Sequence, residues 1–152
     1  MNAKLIVVGG LAFYAVTWIL SFVTGPVVHN GLLLESYQAT AAFWRPALMQ
    51  QPPDMAALLP RWITTGLIYS FVLAALYGKV RSVFAGSSWM RGARYGFWIW
   101  LLATAIALSY SGFFNLPDRI WFWWAVEGLV GSVIGCAVLA WAADRWAPAN
   151  KW

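Results

Sequence analysis

Four long runs of apolar residues divide the chain, and the segments between them hold most of its charged residues. The runs cover residues 5–24, 62–83, 95–114 and 120–143. A helix needs roughly 20 apolar residues to cross the hydrocarbon of a bilayer. The second run reaches that length only if Lys79 and Arg81 extend their charged ends to the interface. The pattern predicts an all-α fold, with four transmembrane helices in a single membrane domain over residues 1–152.

The connection between the first two runs, residues 25–60, is too long for a simple loop and too apolar for a flexible one. Apolar residues recur there at roughly helical spacing: Leu32, Leu33, Tyr37, Ala41 and Trp44. This spacing predicts an amphipathic helix on the outer membrane surface. Pro53 and Asp54 indicate the start of a second short helix, which we expect to end before Pro60. The bundle therefore carries one or two outer interfacial helices.

Composition supports a membrane protein. The chain is 62% hydrophobic and 10% charged, whereas a soluble domain is about 25% charged. It also has 12 Trp residues, and Trp favours the membrane–water interface because its ring is apolar and its N–H is polar. We interpret most of these residues as interfacial anchors, with a platform for a quinone or pigment as the alternative.

The distribution of Lys and Arg predicts the orientation, because positive residues collect on the cytoplasmic side. Seven lie on one side: Lys4, Lys79, Arg81, Arg91, Arg94, Arg145 and Lys151. Three lie on the other: Arg45, Arg61 and Arg119. Both termini are therefore expected in the cytoplasm. The net charge of +5 is explained by this topology and by anionic lipid, so we expect no nucleic-acid partner.

Glu127 is the one charged residue within the fourth run. A carboxylate near the bilayer centre costs roughly 2–3 kcal/mol on insertion scales, so it is normally turned inward and partnered. Gly131 and Gly135 share its helix face at spacings of four and eight residues, and Gly128 lies beside them. Small residues let helix backbones approach closely. We therefore predict that Gly128, Gly131 and Gly135 pack against another helix and that Glu127 lies on the same face.

Depth along the helices predicts the partners of Glu127. It lies about 10 Å inside the outer end of its run at a rise of 1.5 Å per residue. The same depth in the other runs gives Thr17 and Tyr69, both of which can donate a hydrogen bond, with Tyr14 within a turn. We expect a buried polar layer of these four residues. Glu127 would be a structural hydrogen-bonding group, a proton- or cation-binding group, or a contact to a partner or cofactor.

Few residues are available for catalysis. The single cysteine, Cys136, and the single histidine, His29, exclude an internal disulfide, a paired-cysteine redox site and ligation of haem by two histidines. We expect no metal site, since His29, Glu35 and Asp54 would need further ligands. The short turn at Gly86 lacks the signature of a phosphate-binding loop. We therefore predict no enzyme activity, no catalytic residues and no cofactor.

The order of the spans, the basic segment 79–94 and the tight turn at 115–119 resemble small four-helix bacterial inner-membrane proteins of unknown function. This resemblance implies the bacterial inner membrane as the location. It transfers no functional residues. The chain differs from four-helix multidrug exporters, whose essential carboxylate lies in the first span, because residues 5–24 contain no acidic residue.

Three functions remain open. The first is a non-enzymatic accessory or structural subunit of a larger membrane complex, which follows from the absent catalytic groups and the small-residue helix faces. The second is a small oligomeric transporter that couples to protons or cations through Glu127. The third is a lipid- or pigment-binding scaffold. The expected partners are membrane lipid and either other membrane subunits or further copies of this chain.

Overall fold

The computed structural model describes residues 2–148, which form an almost entirely helical chain without β-strands. The helices are α1 (Ala3–Val27), α2 (Leu34–Ala39), α3 (Pro46–Met49), α4 (Met55–Val80), α5 (Ser88–Ser109) and α6 (Asp118–Trp146). Three of them are long and apolar enough to cross a membrane: α1 as continued to Leu32, α4 as continued to Val83, and α6. The first two turns of α5 carry Arg91 and Arg94, which makes α5 less apolar than these three.

Two helices pass through a proline at which the prediction had ended them. Helix α1 passes Pro26 and continues as a π-helical turn, Val28–Leu32. Helix α4 begins at Met55 and passes through Pro60 without a break, so the expected separate turn before Pro60 is wrong. The side chain of Asp54 caps α4 by accepting a hydrogen bond from the Ala57 N–H at 3.2 Å. A proline near the start of a helix removes one backbone hydrogen bond, which this capped helix tolerates.

The outer connection contains helices, but no long amphipathic one. The π turn is followed by α2, a 3-10 turn at Ala41–Phe43 and the single turn of α3. Helix α2 is followed by Thr40, whose hydroxyl donates to the Ser36 carbonyl at 2.7 Å and accepts from the Trp44 indole at 2.9 Å. Hydroxyl side chains that bond locally compete with helical hydrogen bonds. Residues 32–44 therefore form several short helical turns and no single long helix.

Helices α1 and α6 form the middle of the bundle. Helix α1 packs against α4 and α6, and α5 packs against α6. We call the half of the molecule that contains Ala3 and Trp146 the inner half, and the half that contains α2 and α3 the outer half. In the inner half, α4 and α5 are joined by the Tyr95 hydroxyl, which donates to the Leu73 carbonyl at 2.9 Å. Fully buried Ala74 and Leu139 belong to the core beside this contact.

Two glycines on α5, Gly92 and Gly96, permit the close contact between α5 and α6. A Cβ atom at Gly92 would lie 2.2 Å from the Cys136 carbonyl oxygen, and one at Gly96 would lie 2.2 Å from the Ser132 carbonyl oxygen. Such distances leave room only for hydrogen, so the two backbones touch. Gly92 and Gly96 have the same four-residue spacing as Gly131 and Gly135, but they lie between basic residues and were not among the predicted packing positions.

The three glycines predicted to pack on α6 have different surroundings. A Cβ atom at Gly135 would lie 2.6 Å from the Phe13 ring, so this glycine admits α1 closely. At Gly128 the nearest atom would be 3.6 Å away, in Trp100, which is ordinary contact. A Cβ atom at Gly131 would meet nothing within 4 Å. Close packing on this face is therefore confined to Gly135.

A cluster of charged residues connects α4, α5 and α6 at the inner end. The Asp144 carboxylate accepts hydrogen bonds from the Ser88 hydroxyl at 2.5 Å and from the Arg91 guanidinium. Arg81 lies 3.9 Å from the same carboxylate. Asp144 is on α6, Ser88 and Arg91 begin α5, and Arg81 follows α4. One acidic side chain thus holds three helix ends together.

Candidate functional site

The carboxylate of Glu127 is hydrogen-bonded to two residues at the outer end of the first helix. The Thr24 hydroxyl donates to Oε1 of Glu127 at 2.6 Å. Nε2 of His29 lies 3.0 Å from Oε2. Thr24 lies in the last turn of α1, and His29 lies in the π turn that follows it. Both oxygens of this carboxylate therefore have a partner.

The π turn places His29 against α6. In this turn the Leu33 N–H bonds to the carbonyl of Val28, five residues earlier, at 2.8 Å. A π turn widens the helix, and such turns are frequent at functional sites. Because the helical winding persists beyond Pro26, His29 stays in line with Thr24 and reaches the same carboxylate. The continuation of α1 is thus what forms the site.

Tyr37 extends the hydrogen-bonded chain to a tryptophan. Its hydroxyl lies 2.8 Å from Nδ1 of His29, and it accepts a hydrogen bond from the Trp124 indole N–H at 2.9 Å. The rings of Tyr37 and His29 are stacked, with centroids 5.9 Å apart. Glu127 and Trp124 lie three residues apart on α6. The chain of hydrogen bonds therefore leaves α6, passes through α2 and the π turn, and returns to α6.

The direction of these hydrogen bonds can be derived from the donors. An indole N–H can only donate, so the Tyr37 oxygen accepts from Trp124 and its own proton is free for Nδ1 of His29. His29 then carries its proton on Nε2 and donates it to Glu127. We assign this tautomer from the hydrogen-bond network. The hydrogen bonds therefore run from Trp124 through Tyr37 and His29 to the Glu127 carboxylate.

The acidity of Tyr37 is consistent with its hydroxyl donating a hydrogen bond to Nδ1 of His29. Burial raises the pKa of its phenol, and the negative charge of Glu127 acts in the same sense, while the hydrogen bond from Trp124 opposes them. A phenol with a raised pKa stays protonated at neutral pH and remains a donor. The side chains of Glu127 and His29 are 23% and 38% exposed. The pair is therefore accessible from outside the bundle.

The structure does not place the predicted partners against Glu127. The Thr17 hydroxyl donates to the carbonyls of Phe13 and Tyr14 in its own helix, both at 3.0 Å. The Tyr69 ring packs edge-on against Phe13, with centroids 6.0 Å apart. The apolar run predicted a first helix that ends at residue 24, whereas the helical winding continues to Leu32. The level of Glu127 in the first helix therefore falls at Thr24 and not at Thr17.

Thr17, Tyr14 and Tyr69 instead line a large groove. Its volume is about 910 Å³, and its walls come from α1, α4, α5 and α6. Since α4 packs on α1 and α5 packs on α6, the groove opens between α4 and α5. Five tryptophans line it: Trp18, Trp62, Trp100, Trp121 and Trp124. His29 is also a lining residue, so the groove reaches the hydrogen-bonded cluster.

Several Ser and Thr side chains line the groove, but their hydroxyl groups are bonded within their own helices. The hydroxyls of Thr17, Ser21, Thr65 and Ser70 all donate to backbone carbonyls three or four residues earlier in their own helices. A hydroxyl that is bonded in this way has little donor capacity left for a ligand. These four hydroxyls therefore add little polarity to the groove. Within residues 2–148, no three His, Cys, Asp or Glu side chains lie close enough to share a metal ion.

No protein-family model, curated protein or solved structure matches the chain. The resemblance to small four-helix inner-membrane proteins therefore stays a prediction.

Replacing Tyr37 with Phe removes the hydroxyl that links His29 to Trp124. The change leaves Nδ1 of His29 and the Trp124 N–H without their partner, and each such loss costs about 1–3 kcal/mol when the group is buried. We expect faster amide hydrogen exchange across α2 and the π turn, measured by mass spectrometry in detergent. Tyr110→Phe is the matched control, because Tyr110 is exposed. Equal exchange in both variants would show that the network does not hold α2.

Proposed function

We propose that the protein crosses the bacterial inner membrane four times, with α5 as the additional span and both termini in the cytoplasm. Helix α5 has 22 residues, which at 1.5 Å per residue gives about 33 Å, the thickness of a hydrocarbon core. Its basic residues lie in the first two turns, where Arg91 and Arg94 bond to the Gly86 and Ala85 carbonyls. The backbone contact at Gly92 and Gly96 supports α5 as a partner of α6 within the membrane.

Single-cysteine labelling tests this topology. The native Cys136 is buried, so cysteines introduced at Asn115 and Ser82, both exposed, report their own side of the membrane. We expect a membrane-impermeant maleimide to label Asn115→Cys in intact spheroplasts and to label Ser82→Cys only after permeabilisation. Labelling of both positions from the same side would show that α5 does not span. Full labelling of both variants in detergent is the control.

The function that the geometry supports best is non-enzymatic binding of an amphipathic, lipid-soluble molecule. The groove of about 910 Å³ carries this proposal. Ligand sites typically measure about 300–1,000 Å³ and are mainly apolar, with a few polar groups at defined positions. In this groove the tryptophan rings would contact the apolar body of the ligand. The indole N–H of Trp121, a lining residue, would receive the polar head.

Two further features of the groove support this function. It opens between α4 and α5, so a molecule dissolved in the bilayer could enter sideways without crossing water. The indole N–H of Trp121, a lining residue, is buried and has no hydrogen-bond partner within residues 2–148. Buried donors are normally satisfied. A polar atom of an occupant would provide the missing acceptor.

Native mass spectrometry of protein purified from its membrane in mild detergent tests the proposal. We expect a retained molecule of lipid-like mass in a one-to-one ratio with the chain, which organic extraction then releases for identification. Protein that carries no small molecule, even when purified in the gentlest detergent, would contradict it. The same spectra reveal any protein that remains bound in a fixed ratio.

The role of accessory subunit is the second candidate, and one observation favours it. Among the long helices, α5 packs extensively against α6 alone, and its outward side exposes Trp98, Leu101 and Leu102. A transmembrane helix of another subunit could cover this side. A second protein in a fixed ratio in the spectra would support this candidate, whereas a chain without protein companions would contradict it.

A further inference from the structure

We propose that the inner ends of α4, α5 and α6 bind the phosphate head of an anionic membrane lipid. We call this candidate site the inner site, and its residues are Arg81, Arg91, Arg145, Trp89 and Trp141. None of these residues lines the groove, so the inner site is separate from it. The inner site relies on the proposed topology, which puts this half of the molecule at the cytoplasmic leaflet, and it does not depend on what the groove binds.

Basic residues outnumber acidic ones at this end of the molecule. Of the five acidic residues in the chain, Asp144 alone lies in the inner half. It already faces two guanidinium groups, those of Arg81 and Arg91. Four further basic residues of the inner half form no ion pair within residues 2–148: Lys4, Lys79, Arg94 and Arg145. The inner end therefore has an excess of positive charge that an anion can offset.

The carboxylate of Asp144 does not satisfy both guanidinium groups that face it. Arg91 donates a hydrogen bond to it directly. Nη1 of Arg81 lies 3.9 Å from it, which is beyond hydrogen-bond distance, and has no hydrogen-bond partner within residues 2–148. The side chains of Arg81 and Arg91 are 19% and 27% exposed. A partly exposed guanidinium that is short of acceptors suits a phosphate, whose oxygens accept paired hydrogen bonds from Arg.

Exposed tryptophan rings lie beside these basic residues. Trp89, two residues before Arg91, stacks on Trp141 of α6 with ring centroids 5.7 Å apart. Trp146 packs edge-on against Trp141 at 5.1 Å, and all three rings are exposed. Arg145 follows Trp141 by four residues, so the two lie on the same face of α6. Indole rings favour the level of the lipid head groups, and here they lie next to guanidinium groups.

Charge and aromatic surface together define the ligand of the inner site. Basic pockets between transmembrane helices on the cytoplasmic side bind the head groups of anionic lipids. At the inner site, the guanidinium groups would contact the phosphate, and the stacked rings of Trp89 and Trp141 would contact the glycerol and the upper part of the acyl chains. A free anion would make only the first of these contacts. The inner site therefore favours a lipid over a dissolved phosphate.

The test compares three lipids that share the same two short acyl chains: phosphatidylglycerol, phosphatidylcholine and a diacylglycerol without phosphate. Each is titrated against the wild-type protein in a neutral maltoside detergent, and binding is measured by native mass spectrometry. We expect phosphatidylglycerol to bind about tenfold more tightly than phosphatidylcholine, and the diacylglycerol to bind most weakly. Equal affinities for phosphatidylglycerol and phosphatidylcholine would overturn the inference.

The variant Arg145→Gln assigns the preference to the inner site. Arg145 is exposed and forms no ion pair within residues 2–148, so glutamine removes its charge at little cost to the fold. We expect the affinity for phosphatidylglycerol to fall about fivefold. Arg119→Gln is the matched control, because it removes the same charge from an exposed position at the outer end of α6. Equal affinities in the two variants would overturn the inference.

A variant of the groove distinguishes the two sites. Ala103 lines the groove, and tryptophan at this position would fill part of it. We expect Ala103→Trp to keep the preference for phosphatidylglycerol over phosphatidylcholine, even if its groove no longer holds a ligand. Loss of the preference in this variant would assign it to the groove and overturn the inner site, while leaving the proposed binding function intact.

Inorganic phosphate distinguishes a lipid head from a free anion. It is added in large excess to the complex with phosphatidylglycerol, and sodium chloride of the same ionic strength is the control. We expect the lipid to stay bound equally in both, because only the lipid also contacts the tryptophan rings. Displacement by phosphate alone would show that the inner site takes a free anion and would contradict a lipid site. The labelling of Ser82→Cys tests the underlying topology separately.

Discussion

The substitution Gly96→Ala is expected to destabilise the protein by about 3 kcal/mol. The new methyl carbon would lie 2.2 Å from the carbonyl oxygen of Ser132. This oxygen belongs to the backbone of α6, so it cannot turn away as a flexible side chain would. Helix α5 would have to move off α6, and the wall of the groove would move with it. Gly92→Ala should act similarly, because its methyl would lie 2.2 Å from the Cys136 oxygen.

Gly131→Ala is the matched control for this prediction. A Cβ atom at Gly131 would meet nothing within 4 Å, and alanine favours a helix over glycine by up to about 1 kcal/mol. Unfolding in mixed micelles of detergent and sodium dodecyl sulfate measures the three variants against the wild type. We expect Gly131→Ala to be neutral or stabilising. If Gly96→Ala were equally neutral, the backbone contact between α5 and α6 would be wrong.

The second large effect is expected from Asp144→Ala, at about 2 kcal/mol. This change removes the one carboxylate that accepts from Ser88 and Arg91 and lies beside Arg81. It would leave two partly buried guanidinium groups without their counter-charge. Removing one partner of a buried ion pair costs about 3–5 kcal/mol, and partial exposure reduces that cost.

Asp118→Ala is the control, because Asp118 is an exposed acidic residue in the first turn of the same helix. Its loss removes only a favourable interaction with the helix dipole, worth a few tenths of a kcal/mol to about 1 kcal/mol. Thermal unfolding in detergent compares the two variants. We expect the midpoint to fall clearly for Asp144→Ala and only slightly for Asp118→Ala. Equal shifts would mean that Asp144 does not hold the three helix ends.

The long helices could be predicted from the sequence because apolar length is a local property. Three of the four predicted runs correspond to helices long and apolar enough to span a membrane. Helix α5 covers most of the remaining run, residues 95–114. The ends were harder to place. Pro26 and Pro60 indicate helix boundaries in a soluble protein, yet α1 and α4 pass through them. In membrane helices, proline is tolerated more often.

The candidate site could be predicted only in part. The isolated charge of Glu127 in an apolar run indicated a residue that needs hydrogen-bond partners, and the structure gives it Thr24 and His29. Their identity depended on the π turn, since a helix that ended at residue 24 could not bring His29 to the carboxylate. The single histidine, five residues after Thr24, was the signal that the sequence did contain. The groove itself depends on how four helices pack, which no local pattern encodes.

The glycine contacts between helices could also not be predicted from the sequence alone. The spacing of Gly131 and Gly135 indicates packing because it lies beside Glu127 in an apolar run, whereas the equal spacing of Gly92 and Gly96 lies next to Arg91 and Arg94. A small residue permits close approach only where another helix is present. Spacing alone therefore could not distinguish the contact at Gly96 from the open space at Gly131.

The central claim is that the groove holds an amphipathic molecule, and blocking the groove tests it most directly. Ala103 lines the groove, whereas Ala105, two residues later on α5, is exposed and is not a lining residue. Tryptophan at position 103 would fill part of the cavity, and tryptophan at position 105 would face away from it.

The measurement is the fraction of each variant that retains its bound molecule in native mass spectrometry, after identical purification. We predict that Ala103→Trp loses most of the occupancy and that Ala105→Trp keeps the occupancy of the wild type. Equal occupancy in the two variants, or no bound molecule in the wild type, would contradict the account.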